Sequence, residues 1–142
     1  MEKILYMLDT NTASYIIKGR SEEIKKRLFN VPMSSICISS ITEAELLHGV
    51  AKKPEATHLA NIVNEFLLRV EILPWDTEAA KTYSKLKSTC ENEGKSLGAM
   101  DMLIAAHSVS LGSTLITNDK AFYNVKHHMK LEDWTKSTAL TP

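Results

Sequence analysis

Cysteine is scarce in this sequence, which argues against a fold held together by disulfides or by a cysteine-bound zinc ion. Cys37 and Cys90 are the two cysteines in 142 residues, too few for a disulfide framework and without the spacing of a zinc site. We predict that both are reduced thiols that pack as small hydrophobic side chains. A chain of this length buries roughly two thirds of its unfolded surface, so its core needs no covalent staple.

Long apolar runs are also missing. The first run, residues 4–8, is shorter than the hydrophobic region of a signal peptide, and no later run has the length needed to cross a bilayer. We therefore expect a cytoplasmic protein without a membrane segment.

The chain has no excess of charge of either sign, with 17 basic and 17 acidic residues. This balance argues against a protein that coats nucleic acid through a global positive field. It does not exclude an enzyme, because an acidic site offsets basic residues placed around it. Most charged residues are simply solvated, but a few basic residues in predicted loops or at helix starts are candidates for phosphate contacts. They are Lys18, Arg20, Lys52, Lys53, Lys95 and Lys120.

Apolar runs and helical periodicities alternate along the chain. Strands are predicted at 4–8, 36–39, 70–74 and 114–117, with a weaker one at 129–131. Two short helices before residue 30 are separated by a break at 18–21, and the second has Ser21 as its cap. Further helical segments are predicted at 41–49, 59–67, 79–94 and 99–111, with a short turn at 120–125.

This alternation predicts a parallel sheet covered by helices on both faces. Leu46 and Leu47 are expected to point inward, and the mostly apolar helix 99–111 is expected to lie centrally. One domain over 1–134 is predicted, and the Ser/Thr-rich residues 135–142 are expected to fray.

Four carboxylates are predicted to meet at one edge of this sheet. Ligands bind beyond the carboxyl ends of parallel strands, so the polar residues that follow each strand are the candidates. They are Asp9 after the first strand, Glu45 in the next helix, Asp101 at the start of helix 99–111, and Asp119 after the fourth strand. An all-oxygen acidic cluster suits Mg²⁺ or Mn²⁺ rather than Zn²⁺. A metal-bound water beside these acids would suit phosphodiester hydrolysis.

Each acid also has an interpretation without chemistry. Asp9 is a good helix N-cap, and Asp119 is an ordinary turn or cap residue. Residues 42–45 match a capping box, in which Glu45 would return a hydrogen bond to the helix start. Asp101 suits the first turn of a helix, although its apolar neighbours predict partial burial, where an unpaired carboxylate is costly.

Histidines offer a rival chemistry that needs no metal, with two imidazoles as acid and base. The five histidines are His48, His58, His107, His127 and His128. Their spacing assembles no dyad, so packing and surface roles are favoured.

Four motifs in order resemble a known family. They occupy residues 7–11 (Met-Leu-Asp-Thr-Asn), 39–49 (Ser-Ser-Ile-Thr-Glu-Ala-Glu-Leu-Leu-His-Gly), 98–107 (Gly-Ala-Met-Asp-Met-Leu-Ile-Ala-Ala-His) and 115–122 (Leu-Ile-Thr-Asn-Asp-Lys-Ala-Phe). Together with residues 132–134 (Glu-Asp-Trp), they resemble the VapC-type toxins of the PIN-domain ribonucleases. The resemblance covers essentially the whole chain.

The resemblance implies a three-layer α/β/α fold with a five-stranded, mostly parallel sheet. It implies a homodimeric endoribonuclease toxin that needs Mg²⁺ or Mn²⁺, with a tRNA or rRNA loop as substrate. It also implies a VapB-type antitoxin whose C-terminal tail covers the site and through which operator DNA is bound. Asp9, Glu45 and Asp101 match the family's acids, and Asp119 matches a more variable fourth acid. The matching polar support residues are Thr10, Asn11, Thr117 and Asn118.

Two other classes of protein remain as alternatives. A phosphoacceptor signalling domain would have paired acids after its first strand, whereas this chain has one. A phosphatase of the haloacid-dehalogenase type would have a second aspartate where Asn11 stands. A PIN-like interaction module that has lost catalysis is the second class, and the presence of all four acids argues against it.

Overall fold

A computed structural model of the protein describes residues 4–136, in which five strands form one parallel sheet. The strands are β1 (Tyr6–Leu8), β2 (Ile36–Ser39), β3 (Glu71–Leu73), β4 (Thr114–Ile116) and β5 (Lys130–Glu132). They lie in the order β3-β2-β1-β4-β5, and every neighbouring pair is parallel. The predicted parallel sheet is confirmed, and the fifth strand runs one residue later than the sequence indicated.

Seven α-helices connect and cover these strands within the described residues. They are α1 (Thr10–Lys18), α2 (Glu22–Phe29), α3 (Ser40–Ala51), α4 (Thr57–Arg69), α5 (Thr77–Asn92), α6 (Ala99–Leu111) and α7 (Lys120–Tyr123). Short 3₁₀ turns at Met33–Ser35 and Lys126–His128 precede β2 and β5. None of these helices is long and apolar enough to cross a membrane.

Alternate residues of the central strands face two separate cores, as the period of a strand requires. Met7 packs into the core built with α5 and α6, whereas its neighbour Leu8 packs into the core built with α1, α2 and α4. Cys37 and Ile38 divide in the same way. The fold is therefore the expected three-layer α/β/α arrangement.

Two helices end where glycine adopts a left-handed backbone. Gly19 (φ 62°) caps α1, and Gly112 (φ 64°) caps α6. A side chain is disfavoured in this conformation, so these glycines set the points at which the chain leaves each helix.

The residues after β5 pack into the core that β1 builds with α1, α2 and α4. Trp134 is buried against Tyr6, with ring centroids 5.3 Å apart, and its indole N–H donates to the Glu132 carboxylate (2.9 Å). The Arg27 guanidinium of α2 lies 3.3 Å from the same carboxylate. Of the predicted tail, residues 137–142 lie outside the described residues.

The structure corrects some details of the sequence analysis. Leu47 is 43% exposed and does not point inward, although Leu46 does. β1 begins at Tyr6 rather than at residue 4, and Ile4 is exposed. Apolar composition alone therefore overestimates burial at the edge of an element. The central position predicted for α6 is confirmed, since six of its residues are buried.

Candidate active site

Asp9 lies at the carboxyl end of the central strand β1, and its side chain is almost entirely buried. It is the N-cap of α1, and its carboxylate accepts a hydrogen bond from the Thr12 backbone N–H (2.8 Å). Burial raises the pKa of Asp9, while hydrogen bonds from Thr117 and Thr12 act in the opposite direction. Asp9 is therefore a helix cap, as one interpretation of the sequence held. The cap fixes its carboxylate at the edge of the sheet where ligands bind.

Thr117 connects Asp9 to Asp119. Its buried hydroxyl lies close enough to the Asp9 carboxylate to lower the pKa of that group, and it accepts from the Asp119 backbone N–H (3.0 Å). Asp119 in turn is the N-cap of α7 and accepts from the Ala121 N–H (2.9 Å). The two acids that follow the adjacent strands β1 and β4 are thus held in fixed relation by one threonine.

Glu45 reaches the same edge from α3. Its carboxylate accepts a hydrogen bond from the Thr10 hydroxyl, which also lies 3.2 Å from the Thr42 hydroxyl oxygen. The N-cap of α3 is Ser39, so Thr42 is inside the helix rather than at its cap. The predicted capping box at 42–45 is therefore wrong, and Glu45 is free to face α1.

Asp101 is the acid whose pKa is affected by all three of the others. It lies in the first turn of α6 and is partly buried, as predicted. Burial raises the pKa of its carboxyl to about 6. The negative charges of the other three acids add to this shift, in the order Asp119, Glu45, Asp9. The fold thus brings all four predicted acids close enough to interact by charge.

The remaining predicted support residues lie beside these acids. Asn11 is exposed on the first turn of α1, next to Thr10. Asn118 is partly buried between Thr117 and Asp119. Of the histidines, His107 is buried and packed on α6, which fits the predicted packing role.

Sequence reasoning did not identify the residues that position α6. The Trp75 indole N–H donates to the Leu103 carbonyl of α6 (2.9 Å), and its backbone N–H donates to the Ser40 hydroxyl (3.0 Å). His107 Nδ1 lies 2.7 Å from the Ser39 hydroxyl oxygen. These contacts link α6, which carries Asp101, to the β2–α3 turn. A Pro-Trp pair directly after a strand is the one local signal, and it does not reveal a partner 28 residues away.

Tyr123 is a further residue at this edge that the motifs did not single out. Its hydroxyl donates to the Thr117 carbonyl (3.1 Å). Burial raises its pKa, and the charges of Asp133, Asp9 and Glu132 add to the effect. It lies close to the acids as a neutral phenol.

The donor set bears on which metal ion fits here. The four acids supply oxygen atoms alone, which are the ligands that Mg²⁺ and Mn²⁺ prefer. Within residues 4–136, no three His, Cys, Asp or Glu side chains converge as tightly as a protein cage for one ion requires. Mg²⁺ commonly binds through one or two carboxylates and keeps several waters, so the looser cluster suits it.

The chain matches the family model of the PIN domain over residues 6–128. It is 36% identical over 129 residues to the tRNA(fMet)-specific endonuclease VapC of Salmonella typhimurium, covering 91% of this chain and 97% of the relative. Ribonuclease VapC2 of Haemophilus influenzae matches with the same identity and the same coverage.

Solved structures agree with these matches. A DNA-bound VapBC complex from Salmonella typhimurium aligns with a TM-score of 0.84 and 36% identity, covering 92% of this chain and 98% of that one. VapBC2 from Rickettsia felis, bound to a promoter DNA fragment, aligns with a TM-score of 0.83 and 31% identity, covering 92% and 99%. Motif order, fold and relatives agree: the chain belongs to the PIN-domain family, in its VapC ribonuclease branch.

Proposed function

We propose that this protein is an endoribonuclease toxin that hydrolyses RNA phosphodiester bonds and is neutralised by a cognate antitoxin. The observation that carries the proposal is the convergence of four carboxylates from separate elements, close enough that the charges of Asp119, Glu45 and Asp9 act on Asp101. Like charges are costly to hold together without a cation. Helix capping accounts for the positions of Asp9 and Asp119. It does not account for Glu45 and Asp101, which reach the same ligand-binding edge of the sheet from α3 and α6.

Asp9, Glu45, Asp101 and Asp119 are the residues that would hold Mg²⁺ or Mn²⁺. When bound, the ion would supply an acidified water and neutralise charge on the phosphoryl group. The Thr117 hydroxyl lies beside the Asp9 carboxylate and accepts from the Asp119 backbone N–H, whereas the Asp119 carboxylate is oriented by the Ala121 N–H. Thr10 orients Glu45. Asn11 and Asn118 neighbour Thr10 and Asp119 in the chain, and their amides are proposed to contact the substrate or its waters.

The substrate class follows from the relatives and from accessibility. The Salmonella relative is named for cleavage of tRNA(fMet), and we extend this to a tRNA or rRNA loop as the class of target. Bases and phosphates of single-stranded loops can be splayed onto a site, whereas those of a stable helix cannot. Cleavage of such an RNA in the cytoplasm would inhibit translation.

The partners also follow from the relatives. Three of the solved neighbours are VapBC complexes, and two of these three are bound to DNA. A VapB-type antitoxin is therefore the proposed partner, operator DNA is proposed to bind only through it, and the toxin is proposed to be a homodimer. Tyr15, Ile16 and Ile17 are weak candidates for the dimer surface, because all three are partly buried against the core.

The direct test is cleavage of total small RNA by the purified, antitoxin-free protein. Reactions would contain Mg²⁺, Mn²⁺ or EDTA, and Asp9→Asn and Asp101→Asn would serve as variants. We expect metal-dependent cuts that leave 5′-phosphate and 3′-hydroxyl ends and that both variants lose. A 2′,3′-cyclic phosphate end would contradict the mechanism, because the 2′-hydroxyl would then be the nucleophile. No cutting by any form of folded protein would favour the interaction module.

A further inference from the structure

A groove runs from the acidic edge between α1 and α3, with α4 along its side. Its volume is about 230 Å³. At one end it is lined by Thr10, Asn11 and Glu45, and at the other by Lys18, Lys52 and Lys53. We call this the α1–α3 groove. Because of this lining, one end of the α1–α3 groove is continuous with the candidate active site and the other end is basic.

The lysines stand a short distance from the acids. Lys18 is eight residues after Thr10 on α1, and Lys52 is seven residues after Glu45 at the end of α3. At 1.5 Å per residue, the separation along each helix is roughly 10 to 12 Å. Lys18 and Lys52 are therefore offset along the groove from Thr10 and Glu45, on the side where the next phosphate of a bound RNA strand would lie.

These three cations are not neutralised by the protein. Among residues 4–136, none of the ion pairs within 4.0 Å includes Lys18, Lys52 or Lys53. By contrast, Lys25, Lys26 and Lys81 each pair with an acid on their own helix. The lysines of the α1–α3 groove are thus available to a ligand.

We propose that the α1–α3 groove is a phosphate-binding subsite in which Lys18, Lys52 and Lys53 hold the RNA backbone beside the cleaved bond. The inference rests on the proposed ribonuclease function. An acid cluster repels a phosphodiester, and a chain without net charge has no global field to offset this. Local cations next to the acids provide the attraction, as phosphate contacts do in other nucleic-acid complexes.

A structural role for the same lysines makes a different prediction. Lys18 lies in the last turn of α1 and Lys52 caps α3, where a cation stabilises the helix dipole. If that were their whole role, substitution would lower the melting temperature and leave the RNA concentration dependence unchanged. The test therefore follows KM, kcat and their salt dependence.

The experiment measures steady-state cleavage, at several salt concentrations, of one labelled RNA that the wild type cuts. The variants are Lys18→Gln and the double variant K52Q/K53Q, with K52R/K53R as the charge-retaining rescue. The matched control is K85Q/K130Q, which removes the same charge. Lys85 lies on α5, and Lys130 is the first residue of β5, the outermost strand on the β4 side of the sheet. Neither residue lines the groove.

We expect K52Q/K53Q to raise KM about tenfold with kcat within about twofold of wild type. The slope of log kcat/KM against log salt should become shallower by about 0.7 for each phosphate that the variant no longer neutralises. Lys18→Gln should show a smaller change of the same kind, whereas the arginine variant and the control should behave as wild type.

Several results would overturn the inference. Wild-type KM and salt slope in K52Q/K53Q would show that the groove does not hold the RNA, even though the nuclease itself is intact. An equal change of KM and salt slope in K85Q/K130Q would show that the effect comes from the lower net charge of the protein and not from the groove. If K52Q/K53Q cleaves RNA as the wild type does but is inhibited less by the antitoxin, the groove binds the antitoxin and not the RNA. If the wild type cuts no RNA, the proposed function fails and the inference falls with it.

Discussion

The junction of β1 with α1, which carries Asp9, and the first turn of α6, which carries Asp101, hold their carboxylates in different ways. Burial raises the pKa of Asp9, but hydrogen bonds from Thr117 and Thr12 oppose this shift and favour its charged form. Asp101 has burial and three like charges around it, and its pKa is raised to about 6. The comparison shows that hydrogen bonds partly offset the burial of Asp9, whereas every cause that acts on Asp101 raises its pKa.

The largest expected effect is the loss of cleavage, for which both acids are proposed to be required. We expect Asp9→Asn and Asp101→Asn each to lower kcat/KM more than about a hundredfold, because each loses a charged oxygen that is proposed to bind the metal ion. Rates of cleavage of a labelled RNA in Mg²⁺ measure this. Near-normal cleavage by either variant would remove that residue from the proposed site.

The second prediction concerns how the charge of Asp101 makes stability depend on pH. A carboxyl whose folded pKa is raised contributes stability below its unfolded pKa, near 3.8, and loses it as pH rises through about 6. Without metal, Asp101→Asn should therefore be more stable than wild type at pH 7 by about 1 to 2 kcal/mol, after allowance for partial exposure. At pH 3.5 the two proteins should be nearly equal.

Urea unfolding at both pH values, in EDTA, would measure this difference. Added Mg²⁺ should stabilise the wild type more than the variant, since binding to the folded state alone adds stability. A variant less stable than wild type at pH 7 would contradict the electrostatic account of Asp101.

The third prediction concerns the cap at Asp9. Asp9→Ala removes the acceptor for the Thr12 N–H and should lower the free energy of unfolding by about 1 kcal/mol. Asp9→Asn keeps an acceptor oxygen and should cost less, although both variants lose activity. Thermal or urea unfolding of the pair separates capping from chemistry; equal stability of the two variants would show that the cap contributes little.

The smallest expected effect concerns the way in which α6 is positioned. Trp75→Phe removes the hydrogen bond to the Leu103 carbonyl and should cost about 1 kcal/mol of stability. Because that bond positions the helix that carries Asp101, we also expect kcat to fall several-fold with KM little changed. Trp134→Phe is the matched control, since it loses an indole hydrogen bond to Glu132, away from α6. If Trp75→Phe and Trp134→Phe lose kcat equally, Trp75 contributes to general packing and not specifically to the position of α6.

Much of this architecture could be predicted from local patterns. The bounds of β2 and α6 match the predicted ranges, because a short buried strand and a mostly apolar helix each have a distinct composition. The positions of Asp9 and Asp119 followed from the rule that polar residues after parallel strands meet at one edge.

The rest depended on contacts between distant residues. The sequence of residues 42–45 suits a capping box, but packing against α1 lets α3 start earlier at Ser40 and turns Glu45 towards Thr10. The bridge from Trp75 to α6 and the pair of Ser39 with His107 have no periodic signal. Such contacts are set by tertiary packing, which a one-dimensional pattern does not encode.

The position of β1 in the middle of the sheet has a consequence for how the protein is made. Its partner β4 arrives late in synthesis, and Thr12 closes onto Ile116 across 104 residues of chain. Asp9 therefore cannot meet Thr117 and Asp119 until nearly the whole chain has left the ribosome. We expect nascent chains that end before β4 to be harmless to the ribosome that is making them and to its tRNAs.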